Sequence, residues 1–598
     1  MLNGRLYRAA FLPFFFALAI AAFSLTAHPR SLASTLAPDA FDGARASAEL
    51  GSLAAEFPNR RPGSQADEKL AARISRTLEA LGGTAGGGFT VRTRRFSAQT
   101  IDGKRTLTTV TAQRPGSTES SPIVILAHRD SAARGGAAAE LSGTAALLEL
   151  ARVFAARETK RTIILVSTSG GTGGDAGAAD FAAQAQAPLD AAIVLGDLAG
   201  THERKPFVVP FSDGFGTAPL QLQSTVADAI TQETGSASGA PSTIGQLAHL
   251  VFPFTVGEQG QLNRSGLPAV LVQVSGERGP FAGDAVSSKR LEGFGRAVLS
   301  AVDALDAAPD ITSTPQTGVL VQRKTFPAWA LRLLLATLLL PPLIVTADGL
   351  ARVRRRGESV GRSLPWALAC ALPFFACAMF ARLLGGSGIL GEAPSSPVAP
   401  NALPFDWAAA RAVLAVGLVL VLAWLLWPML LSRLRLRALP DSDAAGIAML
   451  IVLLVVCVAV WVANPFTALL LLPALHLWLL VVSPELRPRP PAALALVAIG
   501  LAPLALVVAF YAHQLGLGPG QVAWTAVLLL AGGYVGVPAA ILWSLAFGCA
   551  AAATMLALRA PAAPVGPAID DRREITIRGP LSYAGPGSLG GTRSALRR

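Results

Sequence analysis

Cysteine is scarce in this 598-residue chain, and its placement excludes more than its number does. The four cysteines, Cys370, Cys377, Cys457 and Cys549, all fall in apolar segments of the C-terminal half. The N-terminal half therefore has no disulfide framework and no zinc–thiolate site. Lysine is nearly absent, at six of the 50 basic residues, an arginine bias that points to a GC-rich bacterial genome. Charge as a whole is thin: 15% of residues are Asp, Glu, Lys or Arg, against 52% hydrophobic and a mean hydropathy of +0.49. A soluble protein of this size is not so apolar, so several membrane spans are expected. The net charge of +12 would suit nucleic acid in a soluble protein. Here the arginines flank apolar runs, and orientation in a bilayer explains them; no nucleic-acid partner is expected. Three motifs are missing as well. No G-x-S-x-G elbow supplies a serine nucleophile, and the glycine-rich run at 169–177 has neither the G-x-x-x-x-G-K-[ST] nor the G-x-G-x-x-G order.

What is present divides into four parts. Residues 1–27 open with Arg5 and Arg8 and continue into an apolar run, the pattern of a signal anchor or first transmembrane helix with its N-terminus in the cytoplasm. Residues 28–320 read as a folded extracytoplasmic domain. Helical periodicity covers 44–57 and 66–81, and 89–96 and 105–112 alternate like paired strands. Short apolar runs at 123–127, 162–167, 191–195 and 269–274 suit buried parallel strands, with helices expected over 137–156, 176–184, 220–234 and 288–306. This alternation predicts an α/β three-layer sandwich with a mainly parallel sheet.

Residues 321–558 predict an all-α polytopic transmembrane bundle, with apolar runs near 326–347, 364–385, 408–431, 444–463, 466–482, 491–512 and 521–558. The last is long and is interrupted by Gly532-Gly-Tyr-Val-Gly536 and Pro538; it is either one broken crossing or two short helices. Loops at 352–362, 433–437 and 487–489 are basic, whereas 386–406, 463–466 and 513–520 carry no Lys or Arg. The positive-inside rule then sets the basic loops in the cytoplasm and 28–320 outside a multi-pass plasma membrane. The runs hold almost no mid-span charge, which favours an anchor or partner-binding scaffold over a transporter with the outer domain as its receptor. The tail 559–598, rich in Pro, Gly and Arg, is expected to be disordered.

The stretch that carries the outer domain's chemistry is Ile123 to Arg152: a β-branched run, then His128-Arg129-Asp130, a small-residue loop and a helix. Polar residues at the C-terminal end of a strand in an open α/β sheet are where ligands bind. Around it stand Phe41-Asp-Gly-Ala-Arg45, Arg61-Pro-Gly-Ser64, Ser142-Gly143, Leu148-Glu-Leu-Ala-Arg152, Val194-Leu-Gly-Asp197, Gly266-Leu-Pro-Ala269 and Arg290-Leu-Glu-Gly-Phe-Gly-Arg296. In order and spacing this set, over about 40–310, resembles the M28 family of zinc-dependent aminopeptidases and exopeptidases. The plan of anchor, outer domain and multi-span tail is similar to that family's membrane-bound branch.

The resemblance implies two zinc ions sharing an activated water, a glutamate base and five protein ligands. Carried onto this sequence, His128 takes the first ligand position, Asp130 the carboxylate behind it and Asp197 the late-aspartate position. The bridging aspartate falls on Ala139, the Glu-Glu pair on Gly170-Gly171 and the second histidine on Gln259. Glu140 and Glu258 are adjacent carboxylates that could substitute, and His249 is too far upstream for the missing imidazole. The resemblance therefore implies a degenerate metal site: a pseudoenzyme with no cofactor, binding a peptide or an envelope protein. The alternative is an active zinc metallopeptidase whose site is rebuilt from His128, Asp197, Glu140 and Glu258.

Overall fold

The structure, a computed structural model, describes residues 4–27, 29–82, 88–133, 137–185, 188–309, 318–321, 324–390, 393–434, 436, 443–483, 486 and 488–558. Met1–Leu558 form one compact unit. The tail expected to be disordered lies outside the described residues, as do parts of the basic loops at 433–437 and 487–489.

Seven strands build the outer domain's sheet: β1 (Thr90–Thr100), β2 (Gly103–Arg114), β3 (Ile123–His128), β4 (Ile163–Thr168), β5 (Ala191–Leu195), β6 (Val208–Val209) and β7 (Ala269–Val272), in the order β1-β2-β4-β3-β5-β7-β6. The four central strands are parallel, with Ile125 of β3 in register with Leu165 on one side and Ile193 on the other. Both edges are antiparallel, so the sheet is mixed. The central runs are continuous apolar sequences because both faces are covered. Ile123, Ile125 and Ala127 pack under the helices Gly43–Glu56, Gln65–Leu81, Ala138–Ala155, Leu220–Thr234 and Ser288–Ala307. Val124 and Leu126 join the opposite core with Leu262 and Phe181. Each fully buried Ile, Leu or Val there contributes roughly 1.5–3 kcal/mol, and together they fix the strand ends on which the polar residues stand. The short strand β6 and the helices Thr243–Val251 and Gln259–Arg264 were not evident in the sequence pattern, being too short to show a period.

One close approach explains a motif. A Cβ on Gly143 would lie 2.7 Å from the Gly196 carbonyl, so only glycine lets the Ala138–Ala155 helix sit against the end of β5. Ser142 beside it accepts the Leu198 amide at 2.8 Å and donates to the Ala139 carbonyl at 2.5 Å.

The C-terminal half contains helices long and apolar enough to cross a membrane: Ala328–Arg355, Val360–Gly386, Trp407–Arg433, Ala444–Ala463 and Val537–Leu558, with Gly4–Phe23 making six. The bent pair Pro490–Gly500 and Ala502–Leu515 makes up to seven. The long final run resolves into two helices, Pro519–Ala531 and Val537–Leu558, separated at Gly532–Gly536, where Arg382 Nη1 donates to the Val535 carbonyl at 3.1 Å. The N-terminal helix is knitted to the others. Pro342 has no N–H for the Leu338 carbonyl four residues earlier; His476 Nε2 lies 3.0 Å from that oxygen, and its Nδ1 lies 2.7 Å from the Tyr7 hydroxyl. Just beyond, Thr26–Ala27 pairs antiparallel with Lys324–Phe326, next to Val319–Val321.

Candidate functional site

His128 is the last residue of β3, and its backbone carbonyl accepts the Thr144 hydroxyl at 2.8 Å. Its Nδ1 lies 3.2 Å from the carbonyl oxygen of Asp130 and 3.9 Å from the Asp130 carboxylate. The second distance is beyond hydrogen bonding, so the carboxylate does not steady the imidazole as the resemblance implied. Asp130 accepts instead from the backbone N–H groups of Gly171 and Thr172 at 3.0 and 3.1 Å, and from the Thr172 hydroxyl at 2.6 Å. It anchors the turn that follows β4.

That turn occupies the ground of the implied Glu-Glu pair. Gly170 sits at φ +86°, a left-handed conformation that disfavours side chains. A Cβ on Gly171 would overlap the His128 side chain and approach the Glu258 carboxyl carbon to 3.1 Å. The two positions thus need glycine for separate reasons, one conformational and one steric. The backbone of Gly171 lies directly beside the His128 side chain.

The remaining expected residues divide. Glu140, buried in the first turn of its helix, pairs with Arg60 at 3.9 Å, and burial pushes its carboxyl up to about 7. Glu258 accepts the Thr168 hydroxyl at 2.6 Å, and burial pushes it up to about 8. Burial also holds the His128 imidazole below its ordinary value. His128, Glu140, Gly171 and Glu258 line one cavity of ≈ 50 Å³, room for a few waters. Asp197 and Gln259 do not line it. Asp197 accepts the amides of Ala199 and Gly200 at 3.1 and 2.6 Å, capping the turn after β5, and burial raises it to about 6. Gln259 turns its amide to the Thr255 hydroxyl at 2.8 Å. Ala139 presents only a methyl group. Among the described residues no group of three or more His, Cys, Asp or Glu is arranged to hold a metal ion. A dinuclear zinc centre does not fit these donors: Asp197 caps a turn, Asp130 anchors amides, and a side chain at Gly171 would overlap His128.

The contacts of three residues were not evident in the sequence. Arg129 is fully buried, 2.8 Å from the Asp67 carboxylate, and donates to the Ser167 and Thr108 carbonyls at 3.1 and 2.6 Å. Asp175 stands at φ 54°, buried, with neither carboxylate oxygen hydrogen-bonded; burial, then the nearby Asp213 carboxylate, raises it well above its ordinary value. A non-glycine residue closing a Gly-Gly-Thr-Gly-Gly run was the available signal for it. His249, upstream of the site, faces the bundle: it stacks on Phe211 with ring centroids 3.5 Å apart, meets the Glu277 carboxylate at 3.0 Å, and lies 3.1 Å from the Tyr511 hydroxyl.

Residues 109–245 match the model of the family described as Peptidase family M28. No curated protein matches the chain. Among solved structures, a zinc aminopeptidase from Bacillus subtilis aligns at 12% identity over 46% of this chain and 98% of its own, with a TM-score of 0.36. LapB from Legionella pneumophila aligns at 15% identity over 49% and 81%, TM-score 0.38. A glutaminyl cyclase from Porphyromonas gingivalis aligns at 15% identity over 44% and 99%, TM-score 0.31.

Proposed function

From the premise that this chain carries an M28 peptidase-like domain beside a set of apolar helices, we propose that the domain no longer hydrolyses peptides and serves a multi-pass membrane protein as a binding or scaffolding module. One observation supports the reading: Asp130 holds the amides of Gly171 and Thr172, and any side chain at Gly171 would overlap His128, so the position of the implied glutamate has no room for one. Losing a general base alone costs about 10²–10⁴-fold in rate, and here Asp130 and Asp197 are both engaged with backbone amides. The N-terminal segment stays as an anchor, a reading supported by its bonds through Tyr7 and His476 into the bundle. The domain faces the outside of the plasma membrane, since the loops expected on its side carry no Lys or Arg.

The test is zinc content and aminopeptidase turnover of the full chain purified in detergent. The reading expects well under one zinc per chain and no turnover above buffer on a broad peptide panel. Near-stoichiometric zinc together with chelator-sensitive turnover would overturn it. A second reading, a hydrolase rebuilt from His128, Glu140, Glu258 and Asp197, has one observation in its favour: the first three line a single cavity. It predicts an activity that His128→Ala abolishes.

A further inference from the structure

The outer domain's sheet ends in an open edge. β1 pairs with β2 residue for residue over Thr90–Thr100, and among the described residues no strand lies on its other side. It holds neither a proline nor a bulge, two of the devices that close an edge. Only Ile101 and Asp102 separate the paired residues Thr100 and Gly103, so that pair is a hydrogen-bonded one. The alternation of an antiparallel ladder then turns the backbone N–H and C=O groups of Val91, Thr93, Arg95 and Ser97 away from β2, to the open side. The hairpin is fixed at its turn, where Ile101 is buried with Ala132 and Ala402.

A groove of ≈ 280 Å³ runs beside this edge. One wall is a face of the helix Gln65–Leu81, from Glu68 through Ala72 to Arg76, and Thr93 and Arg95 of β1 line it from the sheet. An open edge beside a helix-walled groove is the geometry of strand addition. Main-chain bonds to the edge give affinity, and alternate side chains entering the groove give specificity. Charge says which side chains fit. Residues 90–114 carry five arginines and one lysine against one acid, Asp102, which Arg61 already holds at 2.6 Å. Within the groove, Glu68 is engaged by the Thr108 hydroxyl at 2.9 Å and by Arg95 at 3.3 Å, whereas Arg76 donates from Nε to the Ala72 carbonyl of its own helix at 3.3 Å. A second copy of the same edge is a poor occupant. Antiparallel pairing about the middle of β1 would bring Arg92, Arg94 and Arg95 onto their own counterparts, and like charges directly opposite are destabilising.

We infer that β1 and the groove beside it bind an extended acidic segment of a partner protein, added to the sheet as a further strand. This surface shares no lining residue with the His128 cavity, so the inference stands or falls apart from the question of hydrolysis.

The experiment uses the full chain in detergent and capped, fluorescently labelled octapeptides followed by anisotropy. One alternates glutamate with valine and another lysine with valine. Two more are the glutamate peptide N-methylated on every second amide, one in each frame. The glutamate peptide is expected to bind about ten-fold more tightly than the lysine peptide. N-methylation should abolish binding in the frame whose N–H groups face β1 and spare it in the other. Thr93→Pro removes an outward N–H without touching a bond to β2, and should weaken the glutamate peptide about ten-fold. Arg76→Glu should weaken it several-fold. A thermal melt checks that both variants remain folded; if Thr93→Pro does not, the two N-methylated frames decide. No binding of the glutamate peptide, equal affinity for glutamate and lysine, the same effect in both N-methylated frames, or a folded Thr93→Pro or Arg76→Glu chain that binds like the unaltered one overturns the inference. Self-association of the full chain that Thr93→Pro abolishes, without peptide binding, would assign the edge to a second copy and overturn it as well.

Discussion

The helix Ala138–Ala155 and the turn at 169–175 flank the same histidine, and they differ in what has been kept. The helix preserves its Ser142-Gly143 pair because both residues serve the frame: Gly143 admits the strand carbonyls and Ser142 ties Leu198. The turn has no acidic residue until Asp175, and its glycines now do structural work, held by Asp130. Removing a residue whose role is packing costs stability directly. The comparison teaches that a motif's surviving letters can belong to the fold rather than to the reaction.

The largest effect expected from breaking this comparison lies beneath both regions. Arg129→Met leaves the Asp67 carboxylate buried without its cation, and should cost about 3–5 kcal/mol in chemical denaturation of the outer domain. A loss below 1 kcal/mol would mean that the pair is not structural. Next, Asp130→Ala removes the acceptor of two amides and a hydroxyl. Charge-assisted bonds of this kind are worth roughly 1.5–3 kcal/mol each before relaxation, so a loss of about 2–3 kcal/mol is expected. Hydrogen exchange at Gly171 and Thr172 should rise with it; unchanged exchange would show that the turn is held by something else. Gly171→Ala should cost about 1–3 kcal/mol by overpacking against His128. A silent Gly171→Ala would mean that the space beside the histidine is open after all.

The smallest effect is one of pH. Glu140, Glu258 and Asp197 are raised by burial to about 7, 8 and 6, above the ordinary carboxylate range of the unfolded chain. The folded domain therefore binds more protons than the unfolded one between those limits. The stability tied to these groups is complete below about pH 4.5 and is lost as pH rises through 6 to 8. The melting temperature should rise by about 2–4 °C on acidification from pH 8.5 to 5.5, and Glu258→Gln should flatten the upper part of that rise. A melting temperature that falls over this window would contradict the burial of these carboxyls.

The frame was legible in the sequence because its signal is local. Residues 176–184, 191–195 and 220–234 were expected where the elements stand, since a buried apolar run or a 3.6-residue period lies within each one. The three-layer architecture followed, although the antiparallel edges come from β2 turning back onto β4 and from β6 pairing with β7, pairings that no local pattern encodes. At the site, Ala139, Gly170, Gly171 and Gln259 stand where the resemblance implies ligands or a base. The contacts around them were not legible. Asp130 was expected behind the imidazole and serves amides 41 and 42 residues away in sequence instead. Ala399, Asn401 and Ala402 reach the His128 cavity from more than 260 residues downstream. Such contacts arise from tertiary packing, which periodicity does not report.

The central claim is that backbone, not ligand, occupies the ground beside His128. Zinc-edge X-ray absorption of the full chain, loaded with excess zinc and then exchanged into metal-free buffer, tests it most directly. The account predicts no bound zinc above background, the same for the unaltered chain and for His128→Ala. One or two zinc ions per chain with imidazole in the coordination shell, lost in His128→Ala, would contradict it.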